Sequence, residues 1–266
     1  MPYKCIALDL DDTLLNAKKE VSAENRRTLA KAAEAGVHIV LASGRSIQGM
    51  QFALDQVPGH SYTISSGGAV ITDRFGHDIY SCSVPPQTAK NIMRYAEDNG
   101  FYFQIFCNNT FYYTTRTVHT DEYEESVRFK GILNPGILEW DAVYTEKILI
   151  IDKQEKIDGL RPLVEKLYPD IKILYSQYGY MEIFNADVSK GRALAHVAKE
   201  LQISQQEVIA VGDSEIDISM LQYAGLGIAM ENARESVLKI ADTVTASCEQ
   251  DGVAQAVKKY IFGEKQ

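Results

Sequence analysis

The sequence predicts an α/β protein with a Rossmann-like parallel-sheet core into which an α+β module is inserted. Three observations predict it. Apolar, β-type runs alternate with helical stretches at both ends of the chain, the middle changes to aromatic-rich paired strands, and polar clusters fall directly after the core strands.

The elements follow in order. The run CIALDL from Cys5 predicts a buried strand that ends in Asp9, Leu10, Asp11, Asp12 and Thr13. Residues 22–36 predict a helix, with Ser22 as N-cap, Leu29, Ala32 and Ala33 as its apolar stripe and Gly36 as its stop. VHIVLAS predicts a second buried strand ending at Ser43, Gly44 and Arg45, followed by a helix over about 47–57 and a third strand at 62–65. Strands and helices in alternation imply a parallel sheet with right-handed crossovers.

From about Ser83 the character changes. Pro85 and Pro86 open a helix that ends at Asn99 and Gly100, and FYFQIF and TFYYTT read as paired strands around residues 107–109. A helix over about 118–129 precedes the irregular stretch GILNPGILEW. EKILIID, IKILYS and YMEIF read as further strands, with DGLRPLVEKLY as a helix between the first two. Such aromatic density fits an α+β module with one open sheet face, lined by residues such as Phe103, Tyr113, Arg116 and Tyr180 or else using them as plain core.

The α/β rhythm returns at Ser189 with a helix to about Leu201, the strand VIAVG ending at Asp213, a helix from Glu215, the strand GIAM and a terminal helix over about 253–261. The predicted partition is a discontinuous core, residues 1–82 and 187–266, and an inserted α/β cap, residues 83–186.

Composition narrows the function. The 266 residues are 45% hydrophobic and 24% charged, ordinary for a globular protein, and long enough to bury a substantial core. A net charge of −9 disfavours nucleic acid and anionic membrane surfaces as partners, so an anionic substrate must be captured by local positive charge. Cys5, Cys82, Cys107 and Cys248 form no C-x-x-C pair, and reduced thiols in a cytoplasmic protein are expected. Neither a signal-peptide core nor a membrane-length apolar run is present, and the five histidines form no ligand-spaced pair.

Chemistry gathers where an open parallel sheet binds its ligands, outside the carboxyl ends of the strands. Three carboxylates within four positions raise one another's pKa and repel, so a positive charge belongs beside them. Oxygen ligands favour a hard divalent cation such as Mg²⁺. An Asp-rich turn with a capping role is the alternative for the first cluster taken alone. Strand alternation points Asp9 and Asp11 the same way and Leu10 into the core, which suggests one carboxylate to attack and one to handle a proton. Three further clusters obey the same rule: Ser43 to Arg45, Lys190 at a helix start, and Asp213 to Asp217.

In order and spacing, DLDDTL, LASGR, SKG and VGDSEID resemble the four motifs of the haloacid dehalogenase-like (HAD) superfamily. The insertion between the second and third is similar to the cap of the Cof-type hydrolases, subfamily IIB. The resemblance implies a Mg²⁺-dependent phosphatase acting through an aspartyl-phosphate. On it, Asp9 matches the nucleophile and Asp11 the acid/base, whose backbone carbonyl also ligates the metal. Asp213 matches the remaining metal carboxylate, and Asp217 an outer residue that orients metal-bound water. Ser43 and the Gly44 N–H match the phosphate-binding motif, and Lys190 matches the lysine that pairs with Asp9 and phosphate. Arg45 and Asp12 divide evenly between such roles and structural salt bridging.

Two positions depart from the pattern. Ile216 stands where the family commonly has Asn, and Gly67 stands at the Asn of an ISSNGA-like segment. Each removes polar contacts and is expected to tune activity. The implied substrates are small phosphomonoesters, sugar phosphates first and cofactor phosphates such as pyridoxal phosphate or flavin mononucleotide next, with the chain a monomer or weak homodimer. A sugar phosphomutase and a weakly active or non-catalytic phospho-ligand binding protein are the alternatives.

Overall fold

The computed structural model describes residues 2–57 and 59–264. The chain divides into two compact units. The first runs up to Arg45, takes in Met50–Tyr80 and resumes at Ser189; the second is Ser81–Val188 together with Ser46–Gly49.

The first unit is built on an eight-stranded sheet. Its strands are β1 (Cys5–Asp9), β2 (His38–Ala42), β3 (His60–Ser65), β4 (Val70–Asp73) and β5 (Asp78–Ser81). After the insertion come β12 (Val208–Gly212), β13 (Leu226–Met230) and β14 (Thr243–Thr245). The order across the sheet is β14-β13-β12-β1-β2-β3-β4-β5. All neighbours from β14 to β3 are parallel, and β4 turns back antiparallel to β3. The runs that form β1, β2, β12 and β13 are almost wholly buried, as a parallel sheet covered on both faces requires.

The helices that serve this unit are α1 (Ala23–Glu34), α2 (Ile47–Leu54, most of it in this unit), α6 (Lys190–Glu200), α7 (Ile218–Tyr223), the short α8 (Glu235–Leu238) and α9 (Gly252–Tyr260). Ser22 caps α1 by accepting the Asn25 N–H, and Leu29 and Ala32 face inward as the apolar spacing predicts. Ala193, Leu194 and Val197 of α6 pack with Ala7, Val40, Ile64 and Ala210 of the sheet in one buried cluster.

Three pieces of this unit escape the sequence reading. The β4–β5 hairpin turns at Gly76, where the Asp73 carboxylate accepts the N–H groups of Phe75 and His77. Beyond β13 lie α8 and the three-residue β14. The helix expected from Glu215 begins as a 3-10 turn, Glu215–Asp217, and becomes α-helical only at Ile218.

The second unit carries a six-stranded sheet of β6 (Tyr102–Cys107), β7 (Thr110–Tyr113), β8 (Ile132–Leu133), β9 (Ile148–Ile151), β10 (Ile171–Gln177) and β11 (Tyr180–Asn185). The order is β10-β11-β9-β6-β7-β8, antiparallel except for β7 with β8. β6 and β7 form a hairpin whose turn residues Asn108 and Asn109 both have positive φ, the geometry that suits the strand twist. Helices α3 (Pro86–Asp98) and α5 (Gln154–Leu167) cover one face, with Ile92, Met93, Ile157 and Leu160 packed on Ile105, Ile148 and Ile150.

The other face is not fully open. Tyr123 and Val127 of α4 (Val118–Val127), with Phe129, pack on Phe106, Phe111, Leu149 and Ile151. Of the two places open to Phe103, a sheet face or plain core, it takes the core: it is buried on the helix-covered side, because strand alternation sends it opposite Gln104 and Phe106. Tyr113 is buried on the α4 side, and Arg116 is spent on Asp121, Glu124 and the Tyr113 hydroxyl.

Candidate active site

β1 lies between β2 and β12, and successive strands run outward from it in opposite directions. This reversal is a topological switch point, where loops after adjacent strands diverge and leave a crevice. Asp9 ends β1 and Asp213 follows β12, so both carboxylates stand at that crevice.

Lys190 is the first residue of α6, whose N-cap Ser189 accepts the Arg192 N–H. The lysine is completely buried, and its Nζ donates to Asp9 Oδ1 at 2.5 Å and to Asp217 Oδ1 at 2.6 Å. Gly191 lets this helix start press against α7: a Cβ there would lie 2.2 Å from the Ser219 carbonyl oxygen. Burial alone would lower the Lys190 pKa, yet the two carboxylates hold it above its ordinary value.

Asp217 Oδ2 accepts the N–H groups of Asp213 and Ser214 and the Ser214 hydroxyl, at 2.9 to 3.1 Å. Ser214 and Asp217 thus form a capping box around the 3-10 turn, and Ser214, not Asp213, is the cap. That frees Asp213, whose Oδ1 accepts the buried Thr13 hydroxyl at 3.0 Å.

Asp9, Asp213 and Asp217 bring one carboxylate oxygen each within 4.8 Å of one another. Three carboxylates against one ammonium leave a formal charge of −2 in a buried place. Burial, then the charge on Asp217, pushes Asp9 well above the carboxylate range despite Lys190, and Asp213 is raised to about 6 by burial and by Asp217. An all-oxygen donor set with a double negative surplus fits a hard divalent cation such as Mg²⁺.

Ser43 and Gly44 follow β2 on the same side of the sheet. The buried Ser43 hydroxyl accepts the Arg45 N–H at 3.1 Å, and the Ser43 carbonyl accepts the Gly67 N–H at 2.9 Å. Gly67 has φ +66, a left-handed backbone open to Gly as readily as to Asn, so its N–H still secures this loop. The Ile216 Cδ1 sits 3.7 Å from where a Gly44 Cβ would be, an apolar cover beside the loop.

Strand alternation holds through Leu10, which is buried, but β1 ends at Asp9 and Asp12 takes a left-handed conformation with φ 59. The Asp11 carboxylate consequently stands apart from the triad. Its Oδ2 accepts Arg45 Nε at 2.7 Å, and its Oδ1 accepts Arg45 Nη2 at 2.9 Å and Lys19 Nζ at 3.0 Å. Burial would raise its pKa, but Arg45 and Lys19 outweigh burial and hold it below the usual carboxylate range.

Sequence reasoning gave no role to Thr13, Lys19 or Asn232. Asn232 donates to the Asp12 carbonyl at 2.7 Å and accepts the Cys248 N–H, and the Arg234 N–H reaches the Asp213 carbonyl at 2.9 Å, so the turn after β13 braces both acidic loops. Only the place of Thr13 inside the first acidic cluster signalled its involvement; the others depend on long-range pairing.

The haloacid dehalogenase-like hydrolase profile matches residues 6–257, and the chain belongs to that family. It is 32% identical to the phosphatase YwpJ of Bacillus subtilis, with 97% of this chain and 100% of that protein covered. It is 29% identical to YwtE of the same organism, a 5-amino-6-(5-phospho-D-ribitylamino)uracil phosphatase, over 98% of this chain and 99% of that one. A solved HAD subclass IIB sugar phosphatase shares the fold with a TM-score of 0.80 at 20% identity, covering 98% and 99% of the two chains. Among the described residues no helix is long and apolar enough to cross a membrane.

Proposed function

We propose that this hydrolase is a Mg²⁺-dependent phosphatase that cleaves small phosphomonoesters through an aspartyl-phosphate at Asp9. The observation that carries the reading is the buried Asp9, Asp213 and Asp217 triad with Lys190 bonded to two of its members. Asp9 and Asp213 would hold the cation, with the Asp11 backbone carbonyl, and Asp217 would fix the geometry from behind. When bound, Mg²⁺ neutralises the phosphate and orients it in line for attack.

An Asp9 oxygen attacks phosphorus as the ester P–O bond breaks; Lys190 aims that carboxylate and, together with the cation that would sit beside it, favours its ionised form. Ser43 and the Gly44 N–H hold the phosphate oxygens at the end of β2. Once parted from Arg45 and Lys19, Asp11 takes up a proton from solvent and passes it to the leaving alkoxide. Asp11 then removes a proton from the water that attacks the acyl-phosphate, which releases inorganic phosphate and restores Asp9. Proton transfer of this kind contributes roughly 10²–10⁴-fold.

Sugar and sugar-alcohol phosphates are the proposed substrates, with cofactor phosphates next. The name of YwtE, a phosphatase of a phosphoribityl compound, supports a polyol phosphate. The test is phosphate release over a panel of sugar, sugar-alcohol and cofactor phosphates with Mg²⁺, with EDTA and with Asp9→Asn. Release that needs Mg²⁺ and Asp9 is expected; release unaffected by either would refute the mechanism.

A further inference from the structure

The grip on Asp11 conflicts with the work assigned to it. A carboxylate with both oxygens engaged by Arg45 and one also by Lys19 cannot face a leaving group. A permanent bridge would lock the proton-handling group two residues from the nucleophile. The bridge must therefore open during the cycle, and its parts show how.

The backbone of Arg45 is pinned. Its N–H is bonded to the Ser43 hydroxyl, and its carbonyl accepts the Ser66 N–H at 2.7 Å. Its side chain is less confined, a quarter exposed, with the guanidinium carbon 5.5 Å from the centre of the Phe52 ring. Asp11 is one-third exposed and has room to turn. Lys19 comes from the hairpin closed by the Leu15–Val21 bridge, where it adopts φ 59. Arg45 immediately follows Gly44, so its fork and the phosphate-binding loop belong to one short segment. A guanidinium fork that takes a carboxylate in two parallel bonds takes a phosphate in the same way, and the phosphate carries more charge.

We propose that Arg45 is a substrate-operated latch: its guanidinium holds the Asp11 carboxylate until a phosphomonoester at Ser43 and Gly44 takes the guanidinium over, which frees Asp11 to take up a proton from solvent and turn to the leaving oxygen. Arg45 is then a residue of phosphate capture and of Asp11 positioning together. This rests on the phosphatase reading above. It couples the proton donor to substrate arrival without a separate conformational signal, and it makes Asp11 and the phosphate competitors for one cation.

Competition has a sign that a static salt bridge lacks. Binding of inorganic phosphate in Mg²⁺ buffer, followed by calorimetry, is compared in the unsubstituted protein, Asp11→Asn, Arg45→Gln and the double variant. The latch predicts that Asp11→Asn tightens phosphate binding by on the order of tenfold while Arg45 is present, that Arg45→Gln weakens it, and that the gain from Asp11→Asn vanishes in the Arg45→Gln background. Arg45→Lys, which keeps the charge and loses the fork, carries the same cycle should Arg45→Gln not fold. An equal gain in both backgrounds would show mere removal of a nearby negative charge and overturn the latch. So would unchanged phosphate affinity in Arg45→Gln. Failure of the unsubstituted protein to bind phosphate would instead sink the phosphatase reading, and the latch with it.

Discussion

Each unit of this protein buries a lysine against carboxylates, and the two arrangements differ in one respect. In the inserted unit, Lys147 meets Glu182 at 2.8 Å, one charge against one, with the ammonium 4.7 Å from the centre of the Phe106 ring and 5.8 Å from that of Phe184. In the core, Lys190 faces Asp9 and Asp217 with Asp213 alongside, one charge against three. A balanced buried pair is complete in itself and structural in meaning. An unbalanced one stores repulsion that a further cation, or in its absence a bound proton, relieves. Burial of charge therefore does not mark a functional site by itself; the surplus does.

The largest expected effect breaks the core set. Asp9→Asn removes the nucleophile, and kcat should fall by on the order of 10⁴-fold or more in a phosphate-release assay. The same substitution removes surplus negative charge, so the metal-free variant should melt no lower than the unsubstituted protein. Loss of activity with a large fall in melting temperature would show that Asp9 is structural instead.

Next in size is the balanced pair. Lys147→Met strands Glu182 in the interior and should cost about 3–5 kcal/mol, read from urea unfolding. Lys147→Met with Glu182→Leu should recover most of that loss. If the double variant is as unstable as the single, the pair has a role beyond its own neutrality.

The third prediction uses protons. Asp213 titrates near 6 and Asp9 well above its ordinary value, so the folded metal-free protein holds protons there that the unfolded chain releases at lower pH. These groups favour folding in acid, and their contribution is lost as pH rises through about 6. Mg²⁺ competes with those protons. It should raise the melting temperature more at pH 7.5 than at pH 5, with a stabilisation of about 2.7 kcal/mol at a concentration one hundred times its Kd. Asp213→Asn should abolish the effect, and Lys147→Met should leave it intact. An equal shift at both pH values would contradict the surplus-charge account.

The smallest effect concerns Ile216. Ile216→Asn should move the Mg²⁺ concentration for half-maximal activity by only a few-fold, on the order of 1 kcal/mol or less. A superimposable Mg²⁺ titration would show that the apolar cover beside Gly44 does not tune the site.

Much of this arrangement is legible in the sequence. Cys5–Asp9, His38–Ala42 and Val208–Gly212 are continuous apolar runs that end in polar turns, and the parallel sheet assembles those turns at its carboxyl edge. Lys190 and Asp9, 181 positions apart, meet because of that topology. Local patterns failed where pairing decides structure. β14 is three residues long and only partly covered, and the β4–β5 hairpin is built from two four-residue runs divided by Gly76, too short to show a period. The Asp11 carboxylate departs from the predicted direction for a similar reason: alternation is a property of strands, and the strand stops at Asp9. The hold of Arg45 and Lys19 on that carboxylate has no sequence signature, because it depends on where two loops are brought together.

The central claim is that Asp9 carries the phosphoryl group. Acid-quenched enzyme, taken in the first turnover with a good substrate and Mg²⁺, should yield a phosphoryl adduct on the peptide that contains Asp9, detected by mass spectrometry and absent from Asp9→Asn. Turnover in which that peptide stays unmodified while another residue acquires the phosphoryl group would contradict the account.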